Sequence, residues 1–169
     1  WPEFDQPAVL VMYNVGLSAE AQEGAVWRAR LPMPAAAGEP HAVAWMDADG
    51  VLKVARYTRT VDAGWAWIDV EAGSADLQME FYAGLGVDAP DRSFLFEWPG
   101  GPAIGQVSWQ VREPVGASDL VMVPVADGTR PGGPGETVHG GNLGALAAGG
   151  SFDLRVSYHK ESRLTTRDL

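Results

Sequence analysis

The sequence predicts an all-β protein: an antiparallel β-sandwich, organised as two small immunoglobulin-like sandwiches, with one larger sandwich of about ten strands as the alternative. Three observations lead there. Apolar and polar residues alternate with a period of two in segment after segment, the mark of antiparallel sheet with one wet face. The 169 residues include 21 Gly and 12 Pro, clustered between apolar runs as in short strands joined by turns. Helical periodicity is scarce, and neither heptads nor a long-period repeat is present.

Taken in order, PAVLVMYNV (residues 7–15) is a near-continuous apolar run with β-branched residues. LSAEAQE (17–23) has the composition for a turn or two of helix. AVWRARLP (25–32) sets Trp27, Ala29 and Leu31 against Arg28 and Arg30. HAVAWMDADGVLKVARY (41–57) reads as a hairpin, two arms about an Asp-Gly turn. GWAWIDVE (64–71) and DLQMEFY (76–82) follow, the latter with Leu77, Met79 and Phe81 on one face and Gln78 and Glu80 on the other. GLGVDAPDRS (84–93) is the best internal boundary, so residues 1–87 are expected to form the first sandwich and 88–169 the second. Beyond it, SFLFEW (93–98) aligns Phe94, Phe96 and Trp98. GQVSWQVRE (105–113) aligns Val107, Trp109 and Val111. DLVMVPV (119–125) is apolar on both faces. DGTRPGGPGE (127–136) reads as a flexible surface loop, and LGALAAGG (143–150) as a turn into the last strand. SFDLRVSYHK (151–160) places Phe152, Leu154, Val156 and Tyr158 inward.

Composition narrows the function classes. Hydrophobic residues at 46% and charged residues at 20% fit a globular chain. A chain of this length buries roughly 68–70% of its unfolded surface and needs no staple. Net charge is −10, from 12 basic and 22 acidic residues, with no basic stripe. Nucleic acid and anionic lipid are therefore not expected partners, because both demand neutralising cations. There is no cysteine, which excludes disulfides, Cys-zinc sites and thiol chemistry. The chain opens at Trp1 without an initiator Met, a signal peptide or an apolar stretch of membrane-spanning length. It reads as a processed or excised segment that does not itself insert in a membrane, with any anchor outside it.

No chemical constellation stands out. MDADG (46–50) resembles part of a calcium loop, but placing Asp47 and Asp49 at the third and fifth ligand positions puts Trp45 first and Tyr57 twelfth, and neither can bind the ion. The histidines His41, His139 and His159 lack metal-site spacing. There is no G-x-S-x-G elbow, and the Gly-rich spots lack the Gly-Lys-Ser/Thr of a phosphate loop. Paired carboxylates meeting only in space would leave no local signature. The expectation is a non-enzyme without cofactor, with a hydrolase of scattered site as a further alternative.

The seven tryptophans are the most informative feature. Trp27, Trp45, Trp98 and Trp109 are in phase with apolar neighbours and belong to the core. Trp65 and Trp67 share a face with Asp69, while Ala66, Ile68 and Val70 occupy the other. If that second face is the core, two indoles project outward, able to stack on sugar rings or anchor a protein. Trp65, Trp67, Asp69 and Tyr82 are therefore the candidate ligand or partner surface.

WPEFDQPAVLVMY, RLPMPAAAGEPHAVAWMDADG, LQMEFY, FLFEWPGG, VREPVGASD and LGALAAGGSFDLRVSYHK, in that order, resemble bacterial extracytoplasmic β-sandwich segments of unassigned function, often membrane-tethered. The closing LGALAAGGSFDLRVSY is also similar to the last strands of immunoglobulin-like repeats in bacterial surface proteins. The resemblance spans almost the whole chain and rests on strand patterns, turns and prolines. It implies an extracytoplasmic place, periplasmic or cell-surface, and a role as interaction or accessory module with a protein partner in an envelope assembly. A carbohydrate-binding module with polysaccharide as ligand is the alternative. It carries over no catalytic residue, and since the chain stops at TTRDL without a membrane helix, a tether would lie outside it.

Overall fold

A computed structural model describes residues 1–133 and 135–168. Its regular structure is strand, with three single-turn 3-10 segments, and the sheets are antiparallel. The chain divides into two units, Val11–Ala83 and a second made of Trp1–Leu10 together with Gly84–Leu169. The change of unit after Ala83 lies at the head of the glycine- and proline-rich stretch read as a boundary, and the first ten residues group with the C-terminal half of the chain.

One sheet, whose residues between Val11 and Ala83 belong to the first unit, runs β1 (Ala8–Gly16), β8 (Asp76–Gly84), β4 (Ala42–Met46), β5 (Leu52–Val54). The other runs β2 (Gln22–Glu23), β3 (Val26–Pro34), β7 (Trp65–Ala72), β6 (Arg56–Asp62). Alternation decides which faces meet. Val43, Leu77, Met79 and Phe81 are buried from the first sheet, and Leu31, Met33, Ala66, Ile68 and Val70 from the second. Tyr13 joins the layers: its ring meets Phe81 edge-on at 5.5 Å, and its hydroxyl donates to the Pro32 carbonyl at 2.9 Å. Burial raises the Tyr13 pKa, so that hydroxyl stays a donor.

The Asp-Gly turn is present: the Asp47 carboxylate accepts the amides of Asp49 and Val51 at 3.0 and 2.8 Å. The second arm, however, ends at Val54. Buried Ala55, whose amide donates to Val43 O, is the corner at which the chain leaves one sheet, and residues 56–62 form β6 in the other. The stretch expected to be helical supplies a 3-10 turn at Ala19–Ala21 and then β2. Seven residues hold too few helical hydrogen bonds to offset nucleation, and the strand pairing with β3 wins.

In the second unit, one sheet runs β12 (Ser118–Val123), β15 (Phe152–His159), β10 (Asp91–Trp98), β9 (Gly86–Asp88). The other runs β11 (Ile104–Arg112), β14 (Thr137–Leu146), β13 (Gly128–Pro131). Trp109 and Val111 from one sheet pack with Met122, Leu154, Val156 and Tyr158 from the other in a single core. Two glycine-rich stretches read as loop or turn are strands here: β13 lies within 127–136, and β14 takes in the start of 143–150. Within β14, between those stretches, Gly141 has a packing reason. A Cβ on Gly141 would stand 2.6 Å from Trp109 Cε2, so the strand beside that indole must lack a side chain there.

Beside this core sits a buried charge cluster. Glu3 is 3% exposed, Arg92 5% and Lys160 1%. Lys160 Nζ and Tyr158 Oη both donate to Glu3 Oε2 at 3.0 Å, and Lys160 Nζ also donates to Leu164 O at 2.7 Å. Arg92 Nε lies 3.5 Å from Glu3 Oε1, as an ion pair rather than a hydrogen bond. The Glu3 carbonyl accepts the Thr166 amide, so one residue ties the segments on either side of Glu3 and Thr166 together. Glu3 does so at φ 47°, in the left-handed region, at a cost of order 1 kcal/mol that the buried contacts must offset.

Candidate functional site

The outward rows of β3, β7 and β6 build one face. Antiparallel neighbours opposite each other project to the same side, so register fixes the rows. Trp65 lies between Pro34 and Asp62, Trp67 between Pro32 and Thr60, Asp69 between Arg30 and Thr58, and Glu71 between Arg28 and Arg56. Ala66, Ile68 and Val70 are buried on the opposite side. The two indoles are thus on the outer face, half-buried.

What half-covers them is local. Arg30 lies over Trp67, its Cζ 5.2 Å from the ring centroid, while its guanidinium stands 3.7 Å from Asp69. A cation on an indole face at an exposed site contributes about 0.5–1 kcal/mol. Pro32, on the same face, is fully buried. Proline can occupy this strand because β2 spans only the other end of β3, so the missing N–H faces no partner strand. The Pro32 carbonyl is in turn available to the Tyr13 hydroxyl.

The face has two chemically distinct halves. Pro34, Trp65 and Trp67 form an aromatic and proline end. Arg28, Arg30, Arg56, Asp69 and Glu71 line a shallow groove at the other. Arg28 bridges Glu71 at 3.3 Å and Glu23 at 3.2 Å. These are exposed pairs, each worth under about 1 kcal/mol, so they can be exchanged for contacts to a ligand at little cost.

Tyr82 is not part of this face. It lies on β8, in the other sheet of the unit, on the side away from Phe81 and beside Gln78 and Glu80. Its ring meets His41 edge-on at 5.2 Å. The structure therefore brings together Trp65, Trp67 and Asp69 and leaves Tyr82 on the outside of the opposite layer. Conversely, Arg30 and Pro34 complete the face and were not singled out from the sequence. Alternation marks Arg28 and Arg30 as the wet side of β3, but nothing local says that β3 pairs with β7.

The histidines are dispersed. His139 Nε2 is 3.0 Å from Glu113 Oε2. His159 Nδ1 lies 3.1 Å from Asp91 Oδ1 and its Nε2 3.3 Å from Glu161 Oε1. The hydrogen bond from the imidazole to Asp91 first, then that to Glu161, raises the His159 pKa above its ordinary value. Among the described residues no group of three or more His, Asp or Glu side chains is placed to hold a metal ion. Among them, too, no helix is long and apolar enough to cross a membrane. No family model, curated protein or solved structure matches the chain.

Proposed function

We propose that the protein is a non-catalytic interaction module of a bacterial envelope or surface assembly, immunoglobulin-like in style, whose contact face is the outer side of β3, β7 and β6. The observation that carries this reading is the placement of Trp65 and Trp67, two residues apart and half-buried on the outer face, with Arg30 lying on Trp67. Tryptophan and arginine are the residues most enriched where alanine substitution costs protein–protein binding most. A face that pairs them beside weak, exchangeable ion pairs suits a protein partner. A sugar ring stacking on Trp67 would first have to displace the guanidinium, which favours the protein over the polysaccharide. The extracytoplasmic setting is supported by the sequence resemblance and agrees with the absence of cysteine.

The test is recovery of the protein from native envelopes under mild conditions, side by side with a Trp65→Ala/Trp67→Ala variant. The wild type brings down a stoichiometric protein partner and the double variant loses it. If both bring the same partner, the face is elsewhere. If the wild type comes alone but is retarded on polysaccharide affinity gels, with the retardation lost in the double variant, the ligand is carbohydrate and the protein-partner reading is wrong.

A further inference from the structure

Strand β6 is an unusual edge. It is the last strand of its sheet and seven residues long, and every residue but Arg59 is exposed. The other edges are very short (β2, β5, β9), bulged (β11, β12), ended by proline (β13) or half-buried (β1). Natural sheets guard a long free edge against strand addition with bulges, prolines or charge. β6 has charge alone, and its charges are arranged in a particular way.

Its sequence, RYTRTVD, is self-complementary when read against itself in the antiparallel direction. With Arg59 on a two-fold axis, Arg56 of one copy opposes Asp62 of the other, Tyr57 opposes Val61, and Thr58 opposes Thr60. Each of these is a favourable cross-strand combination, and symmetry supplies each twice. The alternatives are disfavoured. Parallel in-register pairing sets Arg on Arg and Asp on Asp. An antiparallel shift by two residues leaves Arg56 or Asp62 without its opposite.

The backbone allows the same register. Ala63 and Gly64, with φ of 49° and 85°, close a two-residue hairpin between β6 and β7. Such a loop makes Asp62 and Trp65 a hydrogen-bonded pair, and alternation then directs the amides and carbonyls of Tyr57, Arg59 and Val61 away from β7. In the self-paired register these three residues face one another, giving about six new backbone hydrogen bonds.

The side chains agree. Tyr57 and Val61 are 38% and 57% exposed, apolar groups on an otherwise polar strand that would cover each other across the joint. Among the described residues, neither Arg56 nor Asp62 has an ion-pair partner in its own chain. Arg59, the like charge on the axis, is held by its own chain, donating to Ala35 O at 3.2 Å with Glu39 3.8 Å from its Nε.

We propose that two copies of this chain associate through β6, antiparallel and centred on Arg59, joining two four-stranded sheets into one of eight strands. A joint made by one strand from each copy is small, so the dimer is weak and concentration-dependent. Arg56 and Asp62 project to the outer face, so the joint borders the proposed contact face, but self-association of the purified chain is read without that face's partner.

Sedimentation equilibrium of the wild type from about 5 μM to about 1 mM tests it, with Arg56→Asp and Asp62→Arg alongside. Both side chains are exposed and outside any intrachain ion pair among the described residues, so both variants keep the fold. Each makes two like-charge contacts across the joint and raises the dissociation constant about tenfold or more. An equimolar mixture of the two variants recovers wild-type association, because the new acid at position 56 then meets the new base at position 62 at one end, while native Asp62 meets native Arg56 at the other. A wild type that stays monomeric throughout overturns the proposal. So does a dimer that neither substitution weakens, or a mixture that does not recover.

Discussion

Neutralising Glu3 should be the most damaging single-charge change in the second unit. Glu3 is the counter-ion of two buried cations, with side-chain exposure of 4% for Arg92 and 0% for Lys160. Glu3→Gln keeps the size of the side chain and removes the charge, leaving both cations out of water without compensation. Breaking a buried pair in this way costs about 3–5 kcal/mol. Lys160→Met should cost less, because the Glu3 carboxylate keeps the charge of Arg92 and the hydroxyl of Tyr158. What it loses is one charged hydrogen bond to Glu3, worth about 1.5–3 kcal/mol, and the bond to Leu164 O. The assay is hydrogen exchange of β10 and β15 amides through a urea series, which reads this unit alone. With a slope of about 2 kcal/mol per molar urea, Glu3→Gln lowers the midpoint by about 1.5–2.5 M and Lys160→Met by roughly half that. The reverse order, or a shift under about 0.5 M for Glu3→Gln, would refute the idea that one carboxylate compensates both cations.

Two further outcomes follow from local geometry. Gly141→Ala places a carbon 2.6 Å from the Trp109 indole and should destabilise the second unit by about 1–3 kcal/mol, seen as a lower urea midpoint at β11 and β14. His159, its pKa raised chiefly by the hydrogen bond to Asp91, contributes stability that is fully present below its unfolded pKa and is lost as pH rises through the folded one. The Tm difference between wild type and His159→Gln is therefore larger at about pH 5.5 than at about pH 8.5, and Asp91→Asn reduces that pH dependence.

Much of the architecture is legible because burial imposes period two. Leu77, Met79 and Phe81, or Leu154, Val156 and Tyr158, announce their inward face by spacing alone. The same logic placed Trp65 and Trp67 outward once Ala66, Ile68 and Val70 were recognised as core. What alternation cannot give is the identity of the neighbouring strand. Tyr82 has the right phase for an outer face, yet that face belongs to the opposite sheet. Arg30 reaches Trp67 only because β3 pairs with β7 across about forty residues, a loop closure with no local signature. Glycine misled in the other direction. Gly144, at the head of the stretch 143–150 read as a turn, lies within β14, and Gly141 in the same strand, which the sequence reading left unassigned, is small to admit Trp109. The β6 strand was hidden by its polarity: RYTRTVD lies on an exposed edge and has no buried face to declare.

Whether the Trp65–Trp67–Asp69 face makes the contact is decided by a hydrogen-exchange and side-chain-oxidation footprint of the protein, free and in the assembly recovered from native envelopes. Contact through this face protects Trp65 and Trp67 from oxidation and slows exchange in β3 and β7, with Tyr82 unchanged. Protection confined to Tyr82 and the outer side of β8, with Trp65 and Trp67 as reactive as in the free protein, would contradict it.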